Sequence, residues 1–144
     1  MIIYLDASAL VKLYTDEEHS DLVRRAASAA IVRACHDIGY VECRAAFVRK
    51  RKLGQLAADD HRRCRRQLDR DWREFHTVRV TADLIHRAAA LSDEHGLRAY
   101  DSVHLAAVEA VYAASDGAAE FRFGVFDTEL KRAAKSAGLP LLET

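Results

Sequence analysis

The chain has 144 residues, 22 Lys+Arg against 22 Asp+Glu, and a hydrophobic half. That length suits one cored domain, residues 1–144, rather than two, and a mean hydropathy of −0.19 excludes a disordered chain. A formal net charge of zero excludes a protein that coats nucleic acid or an anionic membrane by bulk positive charge.

In chain order, β-rich runs at 2–5, 31–34, 77–80 and 123–126 alternate with amphipathic stretches at about 8–29, 38–74, 82–114 and 127–137. The longer stretches are predicted to break near Gly54 and Gly96. Alternating strands and helices, with strands lacking an in–out pattern, imply a mainly parallel sheet of about four to five strands covered on both faces. The first run meets Asp6 after five residues, which suits neither a signal peptide nor a membrane span. Cys35, Cys43 and Cys64 form no Cys-x-x-Cys pair, and an odd count suits a reduced, cytoplasmic protein better than a disulfide framework.

In open parallel sheets the chemistry sits at the carboxyl ends of the strands. Asp6 ends the first run and Asp127 follows the last, while Asp101 opens a helical turn after the Gly96 break. Each alone is explained by helix capping or by the helix dipole. Glu42 has no such explanation: it sits one position from an expected apolar stripe of Ile38, Val41, Ala45 and Val48, so it is either a solvated flank residue or aimed into a crevice. Together, Asp6, Glu42, Asp101 and Asp127 can reach one sheet edge. Four carboxylates there repel unless a cation is present, and an all-oxygen donor set suits Mg²⁺ or Mn²⁺. The chemistry implied is metal-assisted phosphodiester hydrolysis. Ser8, two residues past Asp6, can either cap the helix or hydrogen-bond a ligating carboxylate.

Asp6-Ala7-Ser8-Ala9-Leu10, the helical Glu42, Asp101-Ser102-Val103-His104-Leu105-Ala106 and Phe126-Asp127-Thr128-Glu129-Leu130, in this order and spacing, resemble a PIN domain. More narrowly, the chain is similar to VapC-type toxin ribonucleases over essentially its whole length. The resemblance implies a three-layer α/β/α fold and an Mg²⁺- or Mn²⁺-dependent endoribonuclease. It also implies a homodimer, which can join a larger toxin–antitoxin assembly, and inhibition by a cognate VapB-like antitoxin. By position, Asp6, Glu42, Asp101 and Asp127 become the metal site. Family members commonly carry a hydroxyl two positions before the last acid, where this chain has Val125, so either Thr128 supplies the hydroxyl or the second metal is weakly held. His104 matches the family's His-Leu-Ala pattern and is read as a packed, hydrogen-bonded residue without a catalytic role. A PIN-like RNA-processing nuclease without antitoxin, and a catalytically silent binding module, are the alternatives.

Residues 44–79 hold 12 Arg+Lys and five acids, so a basic span and an acidic remainder hide behind the zero net charge. A helix from near Leu56 is expected to bury Cys64, Leu68, Trp72 and Phe75, its arginines either contacting RNA phosphates or forming ion pairs on a solvated surface. Arg49, Lys50, Arg51 and Lys52 are the candidate RNA-backbone contacts. The span carries no base-reading motif. Alanine-rich stretches at 7–14 and 22–30 either pack in the core or offer a groove to a partner helix.

Overall fold

The computed structural model describes residues 1–117 and 120–144. Strands β1 (Ile2–Leu5), β2 (Val32–His36), β3 (His76–Val78) and β4 (Phe121–Gly124) form one sheet in the order β3-β2-β1-β4, and every pairing is parallel. Helices α1 (Ala7–Leu10), α2 (Ser20–Ala29), α3 (Ile38–Lys52) and α4 (Ala58–Trp72) precede β3. Helices α5 (Ala82–His95), α6 (Ala99–Ser115) and α7 (Thr128–Ser136) follow it.

The β1 side chains explain the three layers. Ile3 and Leu5 sink into a core built from α1 to α4, Tyr4 into the opposite core built from α5 to α7, and all three are 0% exposed. A strand buried on both faces has no polar side to present, hence the unbroken apolar run. The α/β/α expectation is met with four strands among the described residues. None of the helices among those residues is long and apolar enough to cross a membrane.

Several boundaries differ from the sequence expectation. β2 extends to His36, whose backbone N–H donates to the Tyr4 hydroxyl at 3.1 Å, while β3 and β4 each lie earlier than expected. The expected helix over 8–29 is broken: α1 tightens into a 3₁₀ turn at Val11–Leu13, and α2 restarts at Ser20. Local hydroxyls divert the backbone there. Thr15 Oγ1 donates to the Val11 carbonyl at 3.0 Å, and Ser20 Oγ donates to the Thr15 carbonyl at 2.7 Å. The alanine-rich stretches pack inward, burying Ala9, Leu10, Val11, Tyr14, Val23 and Ala27.

The expected buried stripe of α3 is the wrong face. Val41 and Val48 are 61% and 42% exposed, whereas Gly39, Cys43 and Phe47 are buried. The reason is close approach rather than hydrophobicity: a Cβ on Gly39 would lie 2.2 Å from Cys35 Sγ on β2. Only glycine lets the first turn of α3 descend this far onto the sheet. The expected α4 stripe holds, with Cys64, Leu68 and Phe75 buried and Trp72 stacked on Phe75 at 5.4 Å.

Candidate active site

Parallel pairing of β1 with β4 sets Leu5 opposite Gly124, so the residues after both strands emerge at the same edge. Asp6 caps α1, its Oδ1 accepting from Ala9 N at 3.0 Å and from Ser8 Oγ at 2.6 Å. Ser8 Oγ in turn accepts from Phe126 N at 3.0 Å, tying Asp6 to the segment that leads into Asp127. Asp6 is 3% exposed. Burial pushes its carboxyl up to about 6, against the opposing pull of His104 and of the Ser8 and Ala9 hydrogen bonds.

Glu42 stands one helical turn beyond Gly39, so the close approach of α3 delivers it to the same edge. His104 Nε2 lies 2.6 Å from Glu42 Oε1, and His104 Nδ1 lies 2.8 Å from the Tyr4 hydroxyl. That hydroxyl accepts from His36 N, and burial raises its pKa far above the ordinary tyrosine value, so it keeps its proton. In the neutral imidazole that hydrogen goes to Nδ1, which leaves Nε2–H to donate to Glu42. A Tyr4–His104–Glu42 chain thus orients the carboxylate from the buried layer, and His104 itself is buried, as expected of a packed histidine.

Asp101 lies in the first turn of α6, and Asp127 caps α7 with Oδ2 accepting from Leu130 N at 2.9 Å. Between them stands Arg98, whose Nη2 is 3.3 Å from Asp101 Oδ2 and 3.3 Å from Asp127 Oδ1. Burial, and then the nearby Asp127, push the Asp101 carboxyl upward, while Arg98 pulls it back. A cleft of about 460 Å³ is lined by Ser8, Glu42, Arg49, Arg98 and Asp101.

Asp101 and Asp127 are thus joined through Arg98, and Asp6 lies within electrostatic reach of His104 and Glu42. Among the described residues no three metal-ligating side chains are gathered closely enough to hold an ion by themselves. The donor set nevertheless fits a hard divalent cation that keeps several waters, since it is all oxygen and two of its carboxyls are held up by burial. Thr128 is exposed at the start of α7 beside Asp127, whereas Val125 is buried in the core against α6 and α7.

The four basic residues of α3 face different sides of the helix, because consecutive helix positions turn by about 100°. Arg49 lines the cleft, Lys50 Nζ binds Glu17 Oε2 at 2.5 Å, and Arg51 and Lys52 are exposed at the helix end. On α4, Arg62 and Arg63 pair with Asp59 and Asp60, and Asp69 accepts from Tyr40. Sequence reasoning missed three contributors. Arg98 carried a readable signal, a cation three residues before Asp101. Tyr4 and Gly39 carried none until the packing was known.

The PIN domain family matches residues 3–136. The chain is 33% identical to Ribonuclease VapC45 of Mycobacterium tuberculosis, over 95% of this chain and 92% of that protein. Two solved structures share the fold. One is PAE2754 from Pyrobaculum aerophilum, with TM-score 0.64, 21% identity and coverage of 99% and 90%. The other is a toxin-antitoxin complex from Klebsiella pneumoniae, with TM-score 0.60, 17% identity and coverage of 89% and 88%. With the family matched over residues 3–136 and a relative 33% identical over 95% of the chain, the chain belongs to the PIN domain family and has VapC ribonucleases among its relatives.

Proposed function

We propose that this protein, one PIN-type domain, is the toxin of a toxin–antitoxin pair, a metal-dependent endoribonuclease held in check by a VapB-like antitoxin. What supports the reading is the place of Asp6 and Asp127 at the ends of adjacent parallel strands, with Glu42 and Asp101 lining one cleft nearby. The ribonuclease name of the M. tuberculosis relative and the toxin–antitoxin complex among the structural neighbours support it. A cytoplasmic homodimer is part of the same proposal.

In this reading the four acids hold Mg²⁺ or Mn²⁺. When bound, such an ion lowers the pKa of water and offsets charge developing on the phosphoryl group. The chain's own residues do the rest. Ser8 and Ala9 N hold Asp6 in one rotamer, His104 aims Glu42, and Thr128 adjoins Asp127. Arg49 and Arg98 place positive charge at the cleft mouth, where they hold the backbone of the incoming strand. Of the candidate α3 contacts, Arg49 is best placed, Arg51 and Lys52 extend the positive surface, and Lys50 is spent on Glu17.

The test is cleavage of a structured RNA by the purified protein with Mg²⁺, Mn²⁺ or EDTA. Cleavage is expected only with metal, and Asp101→Asn is expected to abolish it without lowering the melting temperature. Equal cleavage by that variant overturns the assignment. Growth arrest on expression, relieved by the product of a neighbouring gene, tests the antitoxin.

A further inference from the structure

Beside Asp127, a second hollow of about 690 Å³ opens, larger than the acid cleft. Lys12, His19, Phe126, Thr128, Lys131 and Lys135 line it, with Glu18 among the lining residues as an acidic side chain. Phe126 and Thr128 flank Asp127 in the chain, and Phe126 N is the donor to Ser8 Oγ, which holds Asp6. One short backbone segment therefore runs from the wall of the hollow to the catalytic edge.

Its walls have a specific chemistry. The His19 and Phe126 rings stack with centroids 5.3 Å apart and planes 15° from parallel, and Lys12 Nζ lies 4.7 Å from the Phe126 centroid. His19 holds this position with φ 68°, a left-handed conformation uncommon outside glycine. Lys131 and Lys135 sit one turn apart on the same face of α7. Among the described residues neither enters an ion pair, whereas Lys12 binds Glu17 at 2.9 Å and Arg132 binds Glu129 at 2.9 Å.

We propose that this groove carries a segment of single-stranded RNA leading from the acid cleft, with phosphates against Lys131 and Lys135 and a base against the His19–Phe126 pair. The proposal rests on the ribonuclease reading and deepens it by naming where the substrate strand lies. Stacked aromatic rings flanked by unpaired cations are what a splayed single strand requires, and they hold it without reading sequence. An acidic peptide matches the charge but makes no use of a ring pair facing the groove.

The experiment measures binding of a labelled mixed-sequence oligoribonucleotide in EDTA by fluorescence anisotropy across a salt series, together with Mn²⁺-dependent cleavage. Three variants are compared with wild type. They are the double charge reversal Lys131→Glu with Lys135→Glu, the milder Lys131→Gln with Lys135→Gln, and His19→Asn, since asparagine tolerates the left-handed backbone. Both lysine pairs are expected to weaken binding, the reversal by 10-fold or more. Removing two phosphate contacts flattens the log–log salt slope by about 1.4. His19→Asn is expected to weaken binding by roughly 5-fold or more with the salt slope unchanged, as loss of one base stack does. KM for cleavage rises in all three while kcat is retained.

If wild type binds and cleaves RNA and the variants match it, the groove assignment is overturned while the ribonuclease stands. If the variants lose antitoxin binding and keep RNA affinity, the groove belongs to the partner protein and the proposal is again overturned. If wild type itself neither binds nor cleaves RNA, the ribonuclease reading falls, and the proposal with it.

Discussion

Asp6→Asn in metal-free protein is expected to stabilise the fold while disabling the site. Burial lifts the Asp6 carboxyl to about 6 from an ordinary value of 3.8. Between those values the folded protein holds a proton that the unfolded chain has released. The contribution of this group is therefore full below 3.8 and is lost as pH rises through about 6. At neutral pH the ionised carboxylate costs about 3 kcal/mol. Asparagine keeps the oxygen that accepts from Ala9 N and Ser8 Oγ and never ionises. The expected gain at neutral pH is up to about 3 kcal/mol, which for a chain of this size is roughly 6 to 12 °C in melting temperature. Urea unfolding of both proteins in EDTA from about pH 4 to pH 8 measures it. The stability difference must grow with pH in favour of the variant, and Mn²⁺ must then raise the melting temperature of wild type only. A difference that is flat with pH, or that favours wild type at neutral pH, refutes the reasoning.

The Tyr4–His104–Glu42 chain predicts that neutral His104 carries its proton on Nε2, which ¹⁵N spectra of the imidazole report; a proton on Nδ1 breaks the chain as drawn. Tyr4→Phe keeps the edge-to-face contact with Phe123 but leaves the His36 N–H without its acceptor, so it should cost about 1 to 3 kcal/mol in urea unfolding. It should also lower cleavage roughly 10-fold by loosening Glu42. Gly39→Ala forces a methyl against Cys35 Sγ and should cost about 1 to 3 kcal/mol, with cleavage falling as α3 lifts. Cys35→Ala removes the obstructing sulfur, so the double variant should recover most of that loss, and strict additivity in a double-mutant cycle would argue against the clash.

The acids were legible in the sequence because strand-to-helix junctions are marked by composition: an apolar run, then a capping residue, then helix. Asp6 and Asp127 stand at such junctions, and their caps are real, so capping and a place at the sheet edge coexist at the same residues. The face of α3 was illegible for a physical reason. Hydrophobic periodicity assumes that the larger apolar side chains turn inward, and here a glycine and a cysteine do so because they permit contact at short range, leaving Val41 and Val48 outside. The break within 8–29 was hidden too, since Thr15 and Ser20 redirect the backbone through side-chain hydrogen bonds that leave no apolar pattern. A run of basic residues such as 49–52 reads as one patch in sequence, yet the helix distributes it around its circumference.

The strand order β3-β2-β1-β4 places the first strand between its neighbour from the first quarter of the chain and a partner from its last quarter. Leu5 meets Gly124 only after the chain between them has been made, and α7, which Asp127 caps, follows later still. During synthesis the first half can condense around β1 and β2, but Asp6 waits for its counterparts. Such sequence-distant pairing is slow to form. The edge that brings Asp6 beside Asp127 is therefore among the last parts of the fold to assemble.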